Sequence, residues 1–159
     1  MNLLSPEIIA SASRSVLCWL ATADAQGQPN VSPKEVFGVF DPNHLVIANI
    51  ASPSSVRNLW HNPRVCVSFI DIFVQKGFKV VGTARNVHRD EDGFDHWSAP
   101  LVALAGPRFP IHSVIVVEAL AVEPILAPSY RLHAAETTEQ GQIQSAMCRY
   151  GVQPRQATP

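Results

Sequence analysis

Charge is scarce in this chain. Lysine, arginine, aspartate and glutamate make up 16% of the 159 residues, against a usual share of about 25%. The two signs nearly cancel to a net charge of -1, so there is no broad basic face to displace counterions, and no nucleic-acid partner is expected. Cysteine is sparse too. Cys18, Cys66 and Cys148 form no Cys-x-x-Cys, which argues against a zinc knuckle and a disulfide framework. Cys18 and Cys66 lie in apolar runs and read as reduced core residues. No uninterrupted apolar run approaches the ~20 residues that span a bilayer. The opening MNLLSPEIIASASR has neither a basic start nor a long apolar core. A cytoplasmic protein with no membrane partner is expected. Dinucleotide, P-loop, nucleophile-elbow and His-Glu-x-x-His patterns are all missing, which removes the common phosphate cradles and hydrolase signatures. The stretch from His88 to His96 has metal-capable side chains but lacks the calcium-loop pattern. It reads as a solvated helix start, and no metal site is expected.

What the chain has is apolar mass. Hydrophobic residues are 47% of the total, enough for a buried core in a single domain over residues 1–159. Ser5-Pro6-Glu7 is a helix start, a hydroxyl cap followed by proline at the first position. It predicts a helix over 5–13. Strands are expected over 15–22, 29–40, 45–50, 64–70, 76–87 and 113–122, separated by turns at Asp24 to Gly27 and Asp41 to His44. Ser52-Pro53 repeats the helix-start signal, with Val56, Leu59 and Trp60 on one face. A helix interrupted at Pro100 is expected within 88–105. A capping box of Thr137 and Gln140 predicts a last helix over about 138–150, followed by a frayed tail over 152–159. Six strands with short connections indicate an all-β antiparallel barrel with peripheral helices. The first, fourth and sixth strands are almost continuously apolar. Burial on both faces, once in the barrel and once against a second subunit, accounts for that and implies a homodimer.

Three segments carry chemistry. Ser32-Pro33-Lys34-Glu35-Val36-Phe37 puts a charged pair into an apolar strand, which costs desolvation unless it meets a ligand or lies on an exposed edge. Ala48-Asn49-Ile50 leads from a strand end through Ser52, Ser54 and Ser55 into a helix that carries Arg57 and Asn58. Hydroxyls, free N–H groups and a guanidinium there suit a phosphate; simple capping accounts for the hydroxyls equally well. Lys76-Gly77-Phe78-Lys79 enters a strand whose Gly82 allows close backbone approach; a solvated hairpin is the plainer reading. Lys34, Arg57, Lys76 and Lys79 together suggest a dianion site beside an apolar groove, a bed for a phosphorylated planar cofactor. Trp19 and Trp97 read as core or interface, Trp60 as packing its helix, and Arg108-Phe109 as a surface loop or a cover over a partner's ligand.

The order of these pieces resembles the pyridoxamine 5'-phosphate oxidase-like, FMN-binding split-barrel superfamily. The matching stretches are Leu20 to Asp24 with Gly27-Gln28-Pro29, then Ser32-Pro33-Lys34, Ile47-Ala48-Asn49, Val56 to Leu59 with Asn62 to Val65, and Lys79 to Ala84. The resemblance spans about residues 8–124. It implies a six-stranded antiparallel split barrel, homodimeric, with FMN at the subunit interface. Under it, Lys34, Glu35, Val36 and Phe37 lie along the flavin ring, and Ala48, Asn49 and Ile50 border the ring and ribityl chain. Ser54, Ser55, Arg57 and Asn58 surround the phosphate with Lys79, and Lys76, Gly77 and Phe78 line the ring's other side. The chain departs from many members by having Ser54-Ser55 in place of an Arg-Lys pair. It also lacks the C-terminal substrate segment of the true oxidases. The implied function is an FMN-dependent oxidoreductase passing electrons from NAD(P)H or another reductant to a small acceptor. A non-catalytic flavin carrier or sensor, and a deazaflavin-binding or cofactor-free relative, remain open at this point. No catalytic acid or base is identified.

Overall fold

A computed structural model describes residues 2–107 and 109–154. The chain runs α1 (Pro6–Arg14), β1 (Cys18–Ala23), β2 (Pro29–Lys34), β3 (Phe37–Asp41), β4 (His44–Asn49), α2 (Pro53–Leu59), β5 (Arg64–Asp71), β6 (Lys76–His88), α3 (Phe94–Ala105), β7 (Ser113–Leu126), α4 (Ser129–Leu132) and α5 (Glu139–Tyr150). The strands form one seven-stranded sheet in the order β2-β1-β5-β6-β7-β4-β3. Each described pairing is antiparallel.

Seven strands replace the expected six. The stretch 29–40 is not one strand, because the chain bends at Glu35 and Val36 and separates β2 from β3. Those two strands are the edges of the sheet. The sheet therefore rolls without its edges pairing, and Phe37 from β3 reaches Phe69 of β5 across the interior, with ring centroids 6.0 Å apart. The interior is filled by Cys18, Leu20, Leu45, Ile47, Val67, Phe69, Val80, Ile115 and Val117. Leu4, Ile8 and Ala12, at the start of the chain and in α1, belong to the same cluster.

A second core lies on the other side of β4 and β7. Val46, Ala48, Val114 and Val116 alternate with the interior residues and pack with Leu101 and Ala105 of α3. The double burial expected for the last strand is thus real, but α3 covers the second face. On β1 and β5 the outer face stays open: Trp19 is 43% exposed and Cys66 is partly exposed. Cys66 is not a core residue. Cys18 is, and burial pushes its thiol up to about 12, against the pull of the nearby Lys34 charge.

Local signals hold at some helix ends. Ser5 caps α1 by accepting from the Ile8 N–H at 3.5 Å. Gly151 closes α5 in the left-handed region. The cap of α5 is Thr138, whose Oγ1 accepts from the Gly141 N–H at 3.1 Å. Thr137 instead donates to the Ser129 carbonyl at 3.1 Å. α3 continues through Pro100 rather than breaking there. β7 runs four residues past the expected 122, to Leu126. Trp60 does not pack its helix and is 72% exposed. Phe109 is exposed; Arg108 and the tail residues 155–159 lie outside the described residues.

Gly82 marks a close approach. A Cβ built there would lie 2.1 Å from the Glu118 carbonyl oxygen of β7, beside a register shift between Val81 and Gly82. The obstacle is backbone and has no rotamer to yield. Gly82→Ala is expected to destabilise the protein by about 3 kcal/mol or more. Urea denaturation of the variant against the parent measures this; an equal midpoint would show that the strands separate freely at this point.

Candidate functional site

The three chemistry-bearing segments do not meet at one place. Lys34 ends β2, and its side chain is only 5% exposed. Its Nζ donates to Ser52 Oγ, at the residue preceding α2. Ser32 Oγ lies 3.1 Å from Ser55 Oγ, which ties β2 to α2 a second time. Asn58 donates to Thr22 Oγ1 on β1 at 2.9 Å, and Asn30 Nδ2 approaches the same oxygen at 3.3 Å. From β4, Asn49 Oδ1 accepts from the Ser52 N–H at 3.1 Å, and Asn49 Nδ2 donates to Ser113 Oγ at 2.9 Å. Arg57 Nη2 donates to Ser54 Oγ at 3.3 Å on the exposed side of α2. One polar cluster thus forms where α2 lies against β1, β2 and the end of β4.

Two expected contributors are elsewhere. Lys79 is on the outer sheet face, in the cross-strand row with Ser68 of β5. Its Nζ pairs with Glu123 Oε2 at 2.8 Å, and that carboxylate raises its pKa. Lys76 pairs with Asp71 at the β5–β6 hairpin. Five positions separate it from Val81, the β6 residue in the row beside Thr22, or roughly 16 Å along the strand. Its Nζ meets Glu139 Oε1 of α5 at 2.7 Å and stands 4.6 Å from the Tyr130 ring centroid. Gly77 and Phe78 follow it at that end, and Phe78 packs against the interior core.

The ring-lining expectation also changes. Phe37 and Ala48 are 6% and 5% exposed and belong to the two cores. Val36 and Ile50 pack against the second core, and Glu35 is exposed. Of that group, Lys34 and Asn49 offer polar atoms to the cluster. Thr22, Asn30 and Ser113 are cluster members missing from the expected set, while Ser32 and Ser52 lay in the segments expected to carry chemistry. Ser52 was signalled by the Ser-Pro helix start. Thr22, Asn30 and Ser113 come from β1, β2 and β7, and no spacing rule brings them together.

The electrostatics centre on Lys34. Burial holds its pKa below the usual lysine value. Among the described residues it enters no ion pair. A buried ammonium supported by one hydroxyl is poorly compensated. Ser52 also gives up its ordinary task, since no side-chain cap closes the first turn of α2. A lysine, a ring of hydroxyls and an uncapped helix start form a site chemically suited to an anion with several acceptor oxygens. Among the described residues, no group of three or more His, Cys, Asp or Glu could hold a metal ion.

A family model for pyridoxamine 5'-phosphate oxidase matches residues 4–125. The chain belongs to the pyridoxamine 5'-phosphate oxidase-like family. Within that family, a Lactobacillus delbrueckii protein described as a candidate pyridoxamine 5'-phosphate oxidase is 28% identical, with a TM-score of 0.64 over 77% of this chain and 95% of that one. An FMN-binding protein from Syntrophomonas wolfei superposes with a TM-score of 0.63 at 15% identity, covering 76% of this chain and 88% of that one. HutZ, the heme storage protein of Vibrio cholerae, superposes with a TM-score of 0.57 at 23% identity, covering 78% and 94%. The last two likenesses establish the shared fold alone. No curated protein sequence matches the chain.

Lys34 makes a prediction about stability. Its folded pKa is below its unfolded one, so the unfolded chain binds more protons between those two values. Raising the pH through that window should therefore stabilise the parent. Lys34→Met removes the burial cost. The variant should melt above the parent at neutral pH without added anion, and the gap should shrink towards pH ~10. Inorganic phosphate should raise the melting temperature of the parent more than that of the variant. Thermal melts across pH and phosphate concentration test both; a parent and variant that respond alike would mean that Lys34 carries no uncompensated charge.

Proposed function

We propose that the protein is an FMN-binding flavoprotein, homodimeric, that works as an FMN-dependent oxidoreductase between a small reductant such as NAD(P)H and a small acceptor. The observation that carries the reading is Lys34, a buried cation whose only hydrogen-bond partner among the described residues is the Ser52 hydroxyl. Family membership raises the expectation of a flavin phosphate as the missing anion. The residues present fit that group. Lys34 supplies the charge, and Ser52, Ser54 and Ser55 supply hydroxyl donors. Arg57 reaches the exposed side from Ser54. Asn49 fixes the turn before α2 through the Ser52 N–H. Hydroxyls in place of an Arg-Lys pair make this a weaker phosphate grip, since a charge-assisted contact is about twice as strong as a neutral one. Flavin, when bound, supplies the hydride and electron chemistry; the protein's share is to bind, orient and tune it.

The second subunit is part of the proposal. On the outer face of the sheet, Val31, Ala21, Cys66 and Val81 form one cross-strand row. Val31 is 59% exposed and Val81 37%, with Trp19 close by at 43%. This apolar strip is the surface best suited to face a second copy and to wall in a planar ligand.

Two measurements test the reading. An absorption spectrum of the purified protein, with mass analysis of what acid releases, should give oxidised-flavin bands and the mass of FMN. Lys34→Met should lower FMN affinity about tenfold or more. Arg57→Ala should lower it only a few-fold, because its site is exposed, and Lys79→Ala should leave it within about twofold. A protein that is colourless and takes up no added FMN would shift the reading to deazaflavin or to no cofactor. For the dimer, light scattering at micromolar concentration should give twice the chain mass, consistent with burial above ~1,000 Å². Val81→Glu should give monomers that stay folded, and a parent that is monomeric already would sink the proposed dimer.

A further inference from the structure

A cavity of about 450 Å³ opens on the side of α2 away from the anion cluster. Ser52, Ser55 and Asn58 serve the anion cluster, whereas Pro53, Val56 and Trp60, spaced i, i+3 and i+7, line this cavity. Its opposite wall comes from Asn86 and His88 at the end of β6 and from His112 just before β7. Asn49 stands between the two sites, with its side chain committed to Ser52 and Ser113.

Asn86 is the anomaly. It pairs in register with Ile115, an interior residue of β7. Its Oδ1 is shielded from solvent and is the one such side-chain atom among the described residues without a hydrogen-bond partner. Its Nδ2 has no partner among them either. A branched apolar side chain would suit a β-strand position next to a core; a carboxamide there is a loss unless something pairs with it. The terminal amide torsion is broad, so either polar atom can face the cavity while the other takes the shielded position. The carboxamide therefore offers the cavity one donor or one acceptor. The complement is a single acceptor or donor on the edge of a flat heterocycle, the kind of group that asparagine reads on a nucleobase.

The remaining walls agree with such a ligand. Trp60 is 72% exposed and offers an indole plane of the kind on which bases stack. His88 Nδ1 lies 2.5 Å from Asp90 Oδ1, and the His88 N–H donates to Glu91 Oε1 at 2.9 Å, at the exposed rim of this wall. The His112 ring is exposed and has no partner among the described residues. The volume falls within the range of small-molecule sites, ~300–1,000 Å³.

We propose that this cavity is a nucleobase-binding site, with the base stacked on Trp60 and its edge paired to Asn86. Asn49 and Ser113 border both sites, but Trp60 and Asn86, which hold the base, take no part in the anion cluster, and the proposal stands independently of the flavin reading.

The test is ligand-observed saturation-transfer NMR on the full chain with free adenosine, guanosine, cytidine and uridine. At least one is expected to bind with a Kd in the millimolar range or tighter and to quench tryptophan emission in the parent but not in Trp60→Phe. Asn86→Leu should weaken it about tenfold or more. Should Asn86→Leu fail to fold, Asn86→Asp keeps the size, removes the donor and should weaken binding as well. Lys34→Met should bind the nucleoside as the parent does, which separates this site from the anion cluster. Failure of all four nucleosides to bind below about 10 mM, or unchanged affinity in the Asn86 and Trp60 variants, would overturn the proposal.

Discussion

The structure depends on β4 and β7 being buried on both faces. Leu45, Ile47, Ile115 and Val117 enter the interior of the rolled sheet, and their neighbours Val46, Ala48, Val114 and Val116 enter the core under α3. Two adjacent strands with no polar face can have no solvent side, so the sheet must roll around one core and be covered over the other. That requirement fixes the place of everything else. α1 packs its apolar stripe onto the interior core, α3 covers the outside of β4 and β7, and α2 lies near β1 and β2, where polar residues collect.

The polar cluster is a consequence of that geometry. β2 is an edge strand, and the bend at Glu35 and Val36 ends it where Lys34 turns towards Ser52. The lysine is buried because α2 and the rolled sheet close around it, not because a carboxylate draws it in. Its charge is left to a hydroxyl, and a site in that condition gains by binding an anion. The same short helix borders a different cavity with its other face. One seven-residue element therefore separates a charged site from a site of stacking and amide chemistry.

Several features were readable in the chain. Ser5-Pro6 marks a helix start because a hydroxyl cap and a preset φ act locally. A continuous apolar run marked the doubly buried β7, whereas the same signal on β1 and β5 did not, since their outer face is open; the ordered fragments between Leu20 and Ala84 carry the family. Gly82 signalled close approach, and the backbone of β7 is there. Lys34 was legible as a charge in the wrong surroundings. The split of 29–40 was not, since a two-residue bend leaves the alternation of residues almost intact. Nor was the cap at Thr138 rather than Thr137, because either hydroxyl meets the local pattern. Trp60 falls on an apolar helix face in the sequence, yet that face looks into a cavity.

The sequence by itself determined where most of the elements form, that strands predominate, that the net charge is close to zero and which family the chain joins. These rest on local propensity, periodicity and composition, which act within a few residues or as sums over the chain. Tertiary structure alone decided which charges meet. Lys34, Arg57, Lys76 and Lys79 look equivalent along the chain. Strand register puts Lys79 beside Glu123 on the outer face, and the β5–β6 hairpin carries Lys76 to Glu139. Lys34 is left buried against Ser52 with no carboxylate. Charge compensation depends on distance through space, and only the pairing of strands far apart in sequence sets that distance.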